Sequence, residues 1–138
     1  MNTRTRGSMA GVALLLLATG CSGPRLIDVS GRLTYKGQPV PSTRVAFQPD
    51  DGSRASMSIT DDDGKFHLQY SRAQSGATPG PHTVCLSYVV SGDEELGRIA
   101  PKASDELKTV ILRYGDPKKS SLHYDVNKNG EVFNIDLQ

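Results

Sequence analysis

VSGRLTYKGQPVPSTRVAFQPDDGSRASMSITDDDGKFHL, residues 29–68, alternates short apolar-polar runs with turn residues. Val29, Leu33 and Tyr35 alternate with Ser30, Arg32 and Thr34, the period-two pattern of a strand with one buried face. Lys36-Gly37-Gln38-Pro39 then breaks the pattern with strong turn formers. Val45 and Phe47 supply the apolar side of a second strand, which Pro49-Asp50-Asp51-Gly52 ends. Met57 and Ile59 read as the apolar side of a third strand, and Phe66, Leu68 and Tyr70 as that of a fourth after the Asp61-Asp62-Asp63-Gly64 turn. Such an order of strand and turn defines a β-protein and carries no catalytic motif.

Working outward, Ser71 to Pro81 is a loop by composition, and His82 to Val90 is the most apolar strand after the N-terminal segment. On that strand Val84, Leu86, Tyr88 and Val90 share one face, which puts Cys85 on the other with Thr83 and Ser87. Residues 91–108 are predicted to form a solvated loop leading to a short strand at Thr109–Leu112; the alternative is a helical turn capped by Ser104. The chain is expected to end in a hairpin: Leu122, Tyr124 and Val126, a turn at Asn127-Lys128-Asn129-Gly130, then Phe133, Ile135 and Leu137.

Gly31-x-x-x-Tyr35-Lys36-Gly37-Gln38-Pro39-Val40-Pro41, Val45-x-Phe47 and Thr60-Asp61-x-Asp63-Gly64-Lys65-Phe66 together resemble the carboxypeptidase-regulatory-like domain, a transthyretin-like β-sandwich. The resemblance runs from about Val29 to Val90, and Pro79-Gly80-Pro81-His82-Thr83-Val84 fits the element that leads into the family's next strand. Small bacterial lipoproteins that carry this single domain are similar also at the C-terminal side, in Tyr114-Gly115-Asp116-Pro117 and Phe133-Asn134-Ile135-Asp136-Leu137. The strand and turn pattern along the chain counts about seven to eight strands, which favours an all-β sandwich; the resemblance implies a transthyretin-like, Greek-key one and says little about activity. In metallocarboxypeptidases this domain is an appendage to an enzyme, and no such enzyme is present in this sequence.

The N-terminal segment belongs to a different physical class. Arg4 and Arg6 precede a largely apolar run from Met9 to Leu17, and Ala18-Thr19-Gly20 presents small residues before Cys21. This is the pattern of a cleaved secretory signal, and the cysteine directly after it resembles a bacterial lipobox. The apolar run is too short for the roughly 20 residues that cross a bilayer as a helix. The expected organisation is a signal peptide at 1–20, a lipidated tether at 21–26 and the β-domain at 27–138. In the resembled lipoproteins the Cys21 thiol would carry diacylglycerol and the chain would be further acylated, palmitate-like, anchoring it to the cell envelope. Removing residues 1–20 from the 138 leaves 118, with 14 basic residues against 15 acidic. That near-neutral, mixed surface offers no footprint for nucleic acid. Membrane attachment is therefore expected through lipid on Cys21.

Residues able to do chemistry are few. Asp61 and Asp63 in the acidic turn are the candidate ligands of a weak calcium site, although the EF-hand spacing is absent and a solvated turn also explains them. His67, His82 and His123 are far apart, sit at polar strand positions and read as surface histidines without zinc spacing. Cys85 has no neighbouring base in sequence to activate it. The transthyretin-related hydrolases end in Tyr-Arg-Gly-Ser, which this chain lacks. Lys36 and Asn134 are both at positions expected to face solvent, so no isopeptide crosslink between first and last strands is expected. The expectation is thus a non-enzymatic envelope module with no cofactor, structural or protein-binding. The alternative is an accessory protein that binds carbohydrate or peptide through residues 91–117, with Tyr114 and Asp116 as candidate partner contacts.

Overall fold

The computed structural model describes residues 22–89 and 103–138. Cys21, the expected signal segment at 1–20 and residues 90–102 lie outside the described residues. Ten strands and one helix follow in the order β1 (Val29–Tyr35), β2 (Gln38–Pro39), β3 (Thr43–Pro49), β4 (Ser56–Ile59), β5 (Lys65–His67), β6 (Gln69–Ser71), β7 (Gln74–Ser75), β8 (Gly80–Tyr88), α1 (Asp105–Arg113), β9 (His123–Val126) and β10 (Glu131–Leu137). Two sheets form a sandwich. In the smaller, β1 is flanked by β10 in parallel on one side and by β2 and β5, antiparallel, on the other. The larger has the order β7-β6-β4-β3-β8-β9, antiparallel throughout.

The strands form where alternation and turn chemistry agree. Val29, Gly31 and Leu33 point from β1 into the core, as Val45 and Phe47 do from β3. β1 turns into β2 through Lys36 and Gly37, both with positive φ (50° and 75°). Two residues of that conformation match the right-handed twist of the strands they join. The core is filled by β1, β3, β8 and β10 residues, including Leu33, Phe47, Leu86, Ile135 and Leu137, with Phe66 and Leu68 between the sheets. Among the described residues, the buried apolar side chains of the core begin at Ile27.

Four expectations are corrected. First, residues 105–113 are helical, and no strand spans 109–112. Ser104 Oγ accepts a hydrogen bond from Leu107 N–H, satisfying one of the donors left open at a helix start, while Asp105 and Glu106 lie in the first turn. Leu107, Val110, Ile111 and Tyr114 then form a stripe spaced i, i+3, i+4, i+7 that packs into the core. Second, the C-terminal strands do not form a hairpin. β9 pairs with β8 in the large sheet, and β10 pairs with β1 in the small one. The Asn127–Gly130 turn spans the two layers, held by Gly130 N–H donating to Asp28 O and Asp28 N–H donating to Asn129 Oδ1.

Third, β4 exists but is phased the other way. Met57 and Ile59 are 45% and 52% exposed, and Ser56 is the buried residue. The register Phe47↔Ser56 aligns Ser56 with the core face of β3, which puts Met57 outside with Ala46. Fourth, Phe66, Leu68 and Tyr70 do not share one strand. The chain changes sheets at Leu68, so β5 pairs with β1 and β6 with β4. Leu68 itself is fully buried at the crossing, its N–H donating to Val29 O and its carbonyl accepting from Gly76 N–H.

Candidate functional site

The outer face of the small sheet carries an open groove of about 570 Å³, lined by Arg32 from β1, Lys65 and His67 from β5, Ile59 from β4, and Val132 and Asn134 from β10. Residue alternation places all of these side chains outward while Leu33, Phe66 and Ile135 point inward. Its three basic side chains are already matched. Arg32 Nε donates to the Asp63 carbonyl at 2.8 Å, Lys65 Nζ lies 3.5 Å from Asp63 Oδ2, and His67 Nε2 is hydrogen-bonded to Asp28 Oδ1. A second groove of about 420 Å³ lies where β4 and β6 part, with the Arg54 guanidinium 5.5 Å over the Tyr70 ring and Arg72 alongside.

The acidic turn beside the first groove uses Asp61 structurally. Its Oδ1 accepts from Asp63 N–H at 3.0 Å and Lys65 N–H at 2.8 Å, the short-range bonding by which an aspartate shapes a turn. Asp63 meanwhile faces Lys65, so the two candidate calcium ligands are occupied by separate partners. Among the described residues no three His, Cys, Asp or Glu side chains gather as a metal set.

The three histidines are in three environments, which corrects one expectation. His82 is 1% exposed and packs its ring 5.9 Å from that of Phe47. Its Nδ1 lies 2.9 Å from Gly80 O and donates to it, while Nε2 has no hydrogen-bond partner among the described residues. The register His82↔Tyr124 sets it on the inner face, a position that local polarity at Pro81-His82-Thr83 hid.

His123 reaches Thr83 Oγ1 at 3.2 Å, and the same hydroxyl lies 3.0 Å from Asp50 Oδ1. A carboxylate only accepts, so the single hydroxyl proton goes to Asp50 and His123 Nδ1–H donates to the threonine. A nucleophilic hydroxyl would need to give that proton to the imidazole. The chain Asp50–Thr83–His123 instead ties the turn after β3 to β8 and β9. No signal in the sequence joined these three residues, which are separated by 33 and 40 positions.

Cys85 is half-buried on the outer face of β8, as the alternation predicts. Burial, and then the negative charge of Asp116, push its thiol above the ordinary cysteine value. The thiolate is the reactive form. Iodoacetamide at pH 8 is therefore expected to modify native Cys85 at least about three-fold more slowly than free cysteine. Unfolding in urea should abolish the difference, and equal native rates would contradict this assignment of the thiol.

Of the candidate partner contacts, Tyr114 is 9% exposed and closes α1 against the core, its carbonyl accepting from Leu86 N–H. Its ring has little surface to present. Asp116 caps the following turn by accepting from Lys118 N–H at 2.9 Å. At the other end of α1, Lys36 Nζ and Tyr35 OH both donate to Glu106 Oε1 at 2.7 Å, joining the helix to the β1–β2 turn. The hydrogen bond from Lys36, then that from Tyr35, holds the Glu106 carboxyl below its ordinary range, and Glu106 raises Lys36 in turn. The link therefore weakens as pH falls through the lowered Glu106 titration or rises through the raised Lys36 one. Both side chains are mostly exposed, so its weight in stability is small.

No family model matches the chain, and no curated protein does. Among solved structures it is similar to the crystal structure of a DUF3823 family protein from Parabacteroides merdae ATCC 43184. The identity is 13% and the TM-score 0.45, over 84% of this chain and 47% of that one. The chain thus spans about half the length of that β-rich protein.

Proposed function

We propose that this chain is a lipid-anchored protein of the bacterial cell envelope whose mature part, a carboxypeptidase-regulatory-like sandwich, is a non-enzymatic structural or protein-interaction module. The observation that carries the reading is how soon the domain begins after the lipobox-like Cys21. Ile27 already exchanges two backbone hydrogen bonds with Ala77, at 2.8 and 2.9 Å. Ser22 to Leu26 are the only residues between, a reach of at most about 18 Å. A domain so tethered stays next to the bilayer that holds its lipid. The commitment of Asp50, Asp61, Thr83 and His123 to structural hydrogen bonds supports the non-enzymatic part. The second reading, an accessory protein that binds carbohydrate or peptide through residues 91–117, would have to do without the buried Tyr114 ring as a platform.

Growth with a labelled fatty acid tests the anchor. Wild-type protein is expected to take up label and fractionate with membranes, and Cys21→Ser to lose essentially all of it and accumulate as uncleaved precursor. Equal labelling of the two would remove the lipid anchor from the proposal.

A further inference from the structure

β10 is the long free edge among the described residues. The large sheet ends in β7, of two residues, and β9, of four, whereas β10 closes the small sheet with seven. Three observations orient its backbone. Gly31 approaches the Phe133 carbonyl, Thr34 Oγ1 donates to Ile135 O, and Glu131 N–H donates to Asp28 O. Odd-numbered residues therefore turn their N–H and C=O groups toward β1. Backbone groups alternate sides along a strand, so those of Val132, Asn134 and Asp136 point to the open edge. No described strand pairs there. β10 also lacks the proline, bulge or lysine that commonly protects an edge, and it exposes 61% of Val132.

We propose that a second copy of this chain pairs on β10, antiparallel, about a two-fold axis at Asn134. The strand is self-complementary in that arrangement. Asn134 is the midpoint of Glu131–Leu137, so laying the whole strand on its copy puts Asn134 opposite itself and Val132 opposite the partner's Asp136. The residues that then face each other as hydrogen-bonded pairs are those whose N–H and C=O are free, giving about six new backbone bonds. Charges agree as well. Asp136 meets the partner's Val132 and Glu131 meets the partner's Leu137, so no carboxylate faces another. On the outer face the two Asn134 amides adjoin and can bond each other, while Phe133 meets the partner's Ile135 on the inner face. Pairing confined to one strand is a small interface, so association is weak in dilute solution and strong where copies are concentrated.

Cysteine crosslinking in the full-length chain tests the register. In a Cys85→Ser background, Asn134→Cys places two thiols on the axis, where facing Cα atoms are about 5.5 Å apart and within disulfide reach. Val132→Cys alone leaves its thiols roughly 14 Å apart. Mild oxidation is expected to give on the order of ten-fold more disulfide dimer from Asn134→Cys than from Val132→Cys, after subtracting the Cys85→Ser background. The double variant Val132→Cys/Asp136→Cys should recover crosslinking, because each thiol then faces its counterpart. Dimer yields at or near background for Asn134→Cys, or equal yields from the two single variants, would overturn the proposal. All four positions except that of the half-buried Cys85 are exposed, and the double variant reads the same interface should one single variant be unstable.

Discussion

Gly31→Ala is expected to lower the melting temperature by on the order of 10 °C or more, corresponding to about 3 kcal/mol of lost stability. Gly31 lies in the middle of β1, opposite Phe133 on one side and Phe66 on the other. A Cβ at this position would overlap the Phe133 carbonyl oxygen and the edge of the Phe66 ring. Neither neighbour is free to retreat. The carbonyl belongs to the β1–β10 ladder, and Phe66 is buried with its ring centroid 6.2 Å from that of Phe47. Glycine is required here by close approach, so its low strand propensity is offset by the packing it admits. Denaturant or thermal melts followed by circular dichroism measure the effect. Phe66→Leu in the same chain should recover part of it, since the ring contact is relieved and the carbonyl contact stays. An unchanged melting temperature for Gly31→Ala would mean that β1 and β10 can separate at no cost.

Phe47→Ala is expected to cost about 3–5 kcal/mol, a large share of the 5–15 kcal/mol typical of a whole domain. Phe47 is fully buried on β3. Its ring centroid lies 5.7 Å from Phe133 and 6.2 Å from Phe66, both of the small sheet, and 5.9 Å from His82 and 6.0 Å from Tyr124, both of the large one. Truncation would empty the space between the layers, and the surrounding rings could refill it only by pulling the sheets together. Phe47→Leu, which keeps most of the volume, should lose much less. Urea midpoints for the two variants decide it: similar small shifts would show that the layers are joined elsewhere.

Much of the architecture is legible where structure is local. β1 and β3 follow from their alternation, and the β1–β2 turn from Lys36-Gly37. The helix is legible too, since Leu107, Val110, Ile111 and Tyr114 carry the helical spacing beside the Ser104 cap that the loop expectation sets aside. What local pattern does not contain is pairing. Asn129-Gly130 is a sound hairpin signal, yet β9 and β10 each find a better partner elsewhere, across 40 residues to β8 and 102 to β1. Met57 and Ile59 show the same limit, since the register with β3 decides which face of β4 is buried. In the site, His82 read as polar surface because burial of a histidine depends on the sheet laid over it. The Asp50–Thr83–His123 chain is invisible for the same reason, being assembled from the turn after β3, the body of β8 and the start of β9.

The pairing of β1 with β10 also sets the order of events in folding. Thr34 and its partner Asp136 are separated by 102 positions, so one side of the first strand finds its partner only in the last. Closing so long a loop must precede the reward of the contacts it brings, which slows folding relative to chains of similar stability built from neighbouring elements. As the chain emerges from the N-terminus, β1 can meet β2 and β5 early, but these cover only two and three of its residues. The ladder that spans all seven waits for β10. The smaller sheet therefore acquires its longest ladder only when β10 is available, after every other described strand.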